Sequence, residues 1–422
     1  MSLYKHQQDG VQFINENSNC ALYWEMGCGK TRTVLEGFDR TTKLLVIAPL
    51  SILEQAWGQD VKKFTSLTYC NLHDEPFKES DIYLINFESA EKKCPKDLSN
   101  FTICVDESSK MKSHSTKITK FLLTLKPKHK IIMSGTPAPN NASEYWAQGE
   151  FLTPNTFGKY HAFIGRYFQL KRGNQTCPAY NVGQFLQKGW KLHCPDLTPI
   201  VSRIPASWLT KKECLDLPEQ VDIIRSITLN PAERKAYKDM ETDLLVEIEE
   251  ESIPAQIALV KLMKLRELTS SFVYDENGKP HTTGSSKIQE LKQILSEVSS
   301  AVIWINFEYE RKIINEIVGP NSIDSFVAGA CRYLVVHPLN AAHGLTFTNT
   351  STQVFFSLSY SNEQYSQARA RTHRIGQKNT CTYIHLVAKD SIDEQIMEVL
   401  KMKGDFVEYA RNCTKNKSLK VA

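Results

Sequence analysis

Two series of short, almost purely apolar runs constrain this chain more than any other feature. The first comprises KLLVIAP, DIYLINF, FTICVDE and HKIIMSG; the second comprises AVIWINF, YLVVHP, TQVFFSL and TYIHLVA. Polar or helix-like segments separate the runs. A strand that is apolar on both faces must be covered on both faces, which means a parallel sheet between layers of helices. Two series therefore predict two α/β lobes, and 422 residues leave room for them. The expected boundaries are 1–150 for the first lobe, 151–284 for a linker with a helical insertion, and 285–410 for the second lobe. Residues 411–422 read as a basic, frayed tail. Within the insertion, NPAERKAY predicts a helix start, with Asn230 as N-cap, Pro231 in the first turn and Glu233 at the third position.

Composition narrows the function. The formal net charge is only +4, from 51 basic and 47 acidic residues, so a nucleic-acid surface must be a local stripe. No apolar run approaches a membrane span and the start lacks a secretory core, so a cytoplasmic protein with no membrane partner is expected. The eleven cysteines form no C-x-x-C pair and read as reduced thiols. Cys177, His193, Cys194 and Cys214 fit no common zinc spacing.

The stretch YWEMGCGKT reads as a phosphate-binding loop between a strand, NCALYWE, and a helix beginning TRTVLEGF. Gly27 and Gly29, on either side of Cys28, let the backbone approach the phosphates. Lys30 reaches the outer phosphates and Thr31 supplies a hydroxyl for Mg²⁺. The usual first glycine of such a loop is Trp24 here. Downstream, FTICVDE ends in Asp106 and Glu107. A buried strand ending in two carboxylates suits Mg²⁺, held through Asp106, and an attacking water oriented or deprotonated by Glu107. The competing reading is an exposed acidic turn.

In QARARTHRIGQ, Gln367, Arg371 and Arg374 stand at i, i+4 and i+7, so a helix puts them on one face. Two arginines on one face can clamp a γ-phosphate as its charge spreads in the transition state. The expected ATP site then draws on both lobes. A solvated basic helix would account for the charges equally well.

The ordered set of motifs resembles helicase superfamily 2, and within it the Swi/Snf-type DNA translocases, from Leu3 to about Ile396. LYKHQQDGVQFI is similar to the adenine-reading Q motif, with Gln7 in the glutamine position. EMGCGKT matches the family's first motif, in which an acidic residue usually stands at the position of Trp24. VIAPLSILEQAW looks like motif Ia, and DESSK has Ser109 where the family usually has His. MSGTPAPN resembles motif III; HGLTFT, containing Gly344, resembles motif V; QARARTHRIGQ resembles motif VI. The resemblance implies two RecA-like lobes, ATP with Mg²⁺, and a DNA path held through phosphates. Ser51, Asn86, Ser89, Thr346 and Thr348 would line that path, as short polar side chains that position without reading sequence. The aromatic-basic run FGKYHAFIGRYFQLKRG invites base stacking, but Tyr160, Phe163 and Tyr167 at helical spacing fit a core stripe better.

SIDSF precedes YLVVHP by only a few residues, too few for a crossover between parallel neighbours. The second lobe is therefore expected to have lost a helix. With the flanking domains of chromatin remodellers also missing, a compact phage or viral form is expected. Such a chain would be an ATP-dependent helicase or translocase on forked or branched DNA, in branch migration, replication, recombination or repair. The alternatives are a double-strand translocase that displaces proteins without unwinding, and an inactive nucleic-acid clamp.

Overall fold

The computed structural model describes residues 2–404 except 112, 174, 180–189, 250–254, 276 and 342–345, and excludes the side chains of 243–249 and 255–259. Gly344 and the expected tail 411–422 lie outside the described residues. The chain forms two compact units that divide between Asp216 and Leu217. Among the described residues, no helix is long and apolar enough to cross a membrane.

In chain order the first unit contains strands β1 (Asn19–Trp24), β2 (Lys43–Ala48), β3 (Tyr69–Asn71), β4 (Ile82–Asn86), β5 (Phe101–Asp106), β6 (His129–Met133), β7 (Gln169–Arg172), β8 (Gln175–Pro178), β9 (Lys191–His193) and β10 (Ala206–Leu209). Seven of them make one sheet in the order β10-β1-β6-β5-β2-β4-β3, and every pairing is parallel. The period of two along β1 explains its apolar sequence. Ala21 and Tyr23 enter one core with Leu45, Tyr83 and Phe151. Cys20, Leu22 and Trp24 enter the core on the opposite face with Val34, Leu44 and Trp57. Trp24, in place of a loop glycine, is thus a core residue whose ring lies against Gly10, where a Cβ would come within 2.3 Å of it.

β7, β8 and β9 form a small antiparallel sheet. Beside it the helix Tyr160–Tyr167 buries Phe163 completely, with ring centroids 4.9 Å from Phe157 and 5.3 Å from Tyr167. The aromatic run therefore packs as a core stripe.

The second unit contains β11 (Gln220–Ile227), β12 (Phe272–Tyr274), β13 (Pro280–Thr282), β14 (Ala301–Trp304), β15 (Tyr333–Val336), β16 (Thr352–Phe355) and β17 (Cys381–Ala388). Its main sheet, β11-β17-β16-β14-β15, is parallel throughout, and β12 and β13 make a hairpin. The helix Pro231–Glu249 starts as its sequence dictates. Asn230 Oδ1 accepts from the amides of Ala232 and Glu233, both at 3.0 Å, and Glu233 Oε2 accepts from the Asn230 amide at 3.0 Å.

Two expectations meet a different outcome. The segment 151–284 is shared between the units: β10 extends the first sheet beside β1, and β11 joins the second beside β17. SIDSF is no strand. It forms the helix Ile323–Val327, where Ser322 Oγ caps the Ser325 amide at 3.2 Å and Phe326 is fully buried. The crossover from β14 to its parallel neighbour β15 runs through the helix Glu308–Val318 and then this one.

Candidate active site

Because β1, β6 and β5 are adjacent and parallel, their C-terminal ends share one edge of the sheet. The loop after β1, the SGTP segment after β6 and the Asp106–Glu107 pair at the end of β5 are thereby drawn together. The outer two of these strands are about 10 Å apart, two strand spacings. Gly27 and Gly29 have φ of 88° and 79°, a left-handed conformation that a side chain disfavours. Gly29 is the N-cap of the helix Lys30–Gly37, and a Cβ there would meet Gln7 Nε2 at 2.3 Å.

Gln7 comes from the helix Lys5–Glu16, buried, with Nε2 donating to Gly29 O at 3.4 Å and Oε1 accepting from the Tyr4 amide at 3.0 Å. His6 Nε2 donates to Cys28 O at 3.0 Å. Cys28 is itself buried, with Cys214 Sγ 3.6 Å away. Lys30 lies across the loop, its Nζ donating to Trp24 O at 2.9 Å and Glu25 O at 3.4 Å. Thr31 follows, half-buried.

Asp106 is not an exposed acidic turn. It is buried, and its two oxygens accept from Trp57 Nε1 and from the Glu107 amide, each at 2.9 Å. Burial pushes its carboxyl above the usual carboxylate range, while the Lys30 charge and the two donors oppose that rise. Trp57 is presented by the π-helical turn Leu53–Gly58. Glu107 is also buried and has φ of 55°, sparsely populated for a residue with a side chain. Nearby, Ser109 Oγ and Thr136 Oγ1 are buried hydroxyls with no hydrogen-bond partner among the described residues.

These residues fit a nucleoside triphosphate with Mg²⁺. The loop brings main chain close to a cation, Lys30, at a helix start. Thr31 and Asp106 offer the hard oxygen donors that Mg²⁺ requires, and the Ser109 and Thr136 hydroxyls have no partner among the described residues.

In the second unit the expected shared helix face does not form. The helix Asn362–Arg369 contains Gln367 but ends before either arginine. Its end is set by Gln353 of β16, fully buried, whose Nε2 donates to Ala368 O at 3.0 Å and to Thr372 Oγ1 at 2.8 Å. Those bonds satisfy a terminal carbonyl and pin the following turn. Gln367 is buried and donates to Glu363 Oε1 at 3.5 Å. Arg371 is buried in the turn, where its main-chain oxygen accepts from the Phe347 amide at 2.9 Å. Arg374 is half-buried; Nε donates to Ala370 O at 3.0 Å and Nη1 to Thr346 Oγ1 at 3.2 Å. Burial lowers its pKa from the ordinary arginine value. The structure therefore brings Arg374 to Thr346, which is exposed, with Thr348 half-buried beyond it.

Of the DNA-path candidates in the first unit, Ser51 and Ser89 are half-buried, on the helices Leu50–Ile52 and Phe87–Lys93. Asn86 is turned inward: Nδ2 donates to Glu88 Oε2 at 2.8 Å, and Oδ1 pairs with His73 Nδ1 at 3.1 Å. Sequence reasoning passed over Trp57, Gln148 and Gln353. The one local signal was for Gln148, an amide that follows the apolar run Tyr145, Trp146 and Ala147 in the helix Tyr145–Leu152.

A family model described as the SNF2-related domain matches residues 6–273. "Putative protein p41" of Acyrthosiphon pisum secondary endosymbiont phage 1 is 25% identical, over 88% of this chain and 90% of that protein. "Uncharacterized ATP-dependent helicase MG018" of Mycoplasma genitalium is 22% identical, over 96% of this chain and 42% of the relative. "DNA repair and recombination protein RDH54" of Saccharomyces cerevisiae is 21% identical, over 90% of this chain and 45% of the relative. The chain thus spans most of the phage protein but less than half the length of the other two.

Proposed function

The chain belongs to the SNF2-related domain family, and from that premise we propose that it is an ATP-dependent DNA motor, a helicase or translocase that takes forked or branched DNA in repair or recombination. The observation that carries this reading is the shared sheet edge, where a left-handed glycine loop ending in Lys30 stands two strands from Asp106 and Glu107. Gln7 and Lys30 hold the nucleotide, Thr31 and Asp106 hold Mg²⁺, and Glu107 orients or deprotonates water. When bound, the metal supplies positive charge against the phosphates. Arg371 and Arg374 serve the same hydrolysis by countering transition-state charge, and Gln367 assists them. Ser51, Ser89, Thr346 and Thr348 contact DNA phosphates; Asn86 supports the path by fixing the start of the helix that bears Ser89.

ATP hydrolysis with and without DNA tests the core of the reading. Turnover that DNA does not raise would remove the motor and leave a clamp. Strand separation on forked against blunt duplexes tests the finer part. A fork-selective motor unwinds the forked substrate faster, and its DNA affinity falls steeply with salt as counterions return. DNA-stimulated hydrolysis with no unwinding of either substrate would make the chain a double-strand translocase.

A further inference from the structure

We infer that Gln148 is a positioning residue for hydrolysis, holding the turn that carries Glu107. The inference rests on the proposed role of Glu107 and adds a residue that no motif includes. Gln148 is fully buried, and all four of its hydrogen-bonding capacities are used. Its Oε1 accepts from Ser108 Oγ at 2.8 Å and from Tyr23 Oη at 3.0 Å. Its Nε2 donates to Pro137 O at 2.7 Å and to Glu144 O at 3.3 Å.

The partners give this amide its meaning. Ser108 directly follows Glu107 and has no exposed surface. Tyr23 is the next-to-last residue of β1, just ahead of the phosphate loop. Pro137 closes the SGTP segment after β6. One side chain thereby ties together three strand ends whose loops make up the site.

Glu107 needs such a tie. A left-handed φ at a residue with a Cβ persists only where the surroundings over-determine it. The Glu107 carbonyl accepts from the Lys110 amide at 3.0 Å, and its own amide is spent on Asp106. The side-chain anchor on the next residue is the Ser108–Gln148 bond. An apolar residue of similar size at 148 would leave two buried hydroxyls and a carbonyl without partners. The turn could then relax toward ordinary φ, swinging the Glu107 carboxylate away from its working place.

The test compares Ser108→Ala, Gln148→Glu, Gln148→Leu and the double variant Ser108→Ala/Gln148→Leu, with Glu107→Gln as reference. The measurements are kcat and KM for ATP at saturating DNA, affinity for a fluorescent ATP analogue, and Tm. Tyr23→Phe removes a bond to the same amide without touching the Glu107 turn. It should lower Tm about as much as Ser108→Ala but kcat less. Ser108→Ala and Gln148→Leu should each lose kcat on the order of 10- to 100-fold, the scale of a misplaced catalytic group. Nucleotide affinity should hold, and the double variant should be no slower than the slower single. Gln148→Glu keeps the acceptor for Ser108 and, as the neutral acid, one donor for Pro137 O, so it should recover part of the kcat lost in Gln148→Leu. If Gln148→Leu does not fold, Ser108→Ala and Gln148→Glu decide. Wild-type kcat in Ser108→Ala, or losses that multiply in the double variant, overturns the inference while an inactive Glu107→Gln leaves the role of Glu107 standing. An active Glu107→Gln overturns both.

Discussion

The Trp57 indole donates to Oδ2 of Asp106 across 2.9 Å, and neither residue has more than a trace of exposed surface. A neutral donor thus steadies a buried carboxylate whose pKa burial has already raised.

That contact predicts a pH effect. The indole favours the ionised carboxylate, so Trp57→Phe removes stabilisation from the charged form and raises the Asp106 pKa further. A hydrogen bond to a charged group contributes about 1.5–3 kcal/mol, or roughly one to two pH units. The acid limb of kcat/KM for ATP should move to higher pH in Trp57→Phe, and at neutral pH the variant should need more Mg²⁺. An unmoved limb would show that Asp106 does not govern it. Stability has its own sign: with the folded pKa raised, the contribution of Asp106 is fully present below its unfolded pKa and is lost as pH rises through the folded one.

Lys30→Ala should abolish hydrolysis and leave the fold intact. Among the described residues the ammonium donates to two loop carbonyls, Trp24 O and, at a long 3.4 Å, Glu25 O, so the core packing does not depend on it. Circular dichroism and Tm near those of the wild type, with DNA-stimulated turnover absent, is the expected pair of results.

Glu107→Gln keeps the shape of the side chain and loses the base. Turnover should fall about 100- to 10,000-fold. A fluorescent ATP analogue should still bind, and the nucleotide-bound variant should dissociate slowly from DNA. Loss of nucleotide binding would assign Glu107 a structural part instead.

Arg371→Ala and Arg374→Ala separate two readings of the basic turn. As charge-countering groups, each should contribute on the order of 1,000- to 100,000-fold to kcat, and ATP should still bind. DNA stimulation should vanish with them. Arg374→Ala also releases Thr346 Oγ1, so its DNA affinity should drop as well. A variant that keeps full DNA-stimulated turnover would show that its arginine does not reach the nucleotide.

The features legible in the sequence are those that adjacent residues encode. Strands apolar on both faces announced parallel sheets, the glycines and Lys30 announced a phosphate loop at a helix start, and Asn230 with Glu233 announced a helix cap. Each depends on local geometry and on burial averaged over a few residues. The tertiary structure decided what distant residues settle between them. Gln353 stops the helix before Arg371 through a bond to Thr372, nineteen positions along the chain. Trp57 reaches Asp106 across forty-nine positions, and Gln148 reaches Ser108 across forty. SIDSF became a helix because Ser322 capped it and Phe326 found a core, although its composition suited either state. A buried polar group must find a partner wherever the fold provides one, and the identity of that partner is fixed only when the strand ends meet.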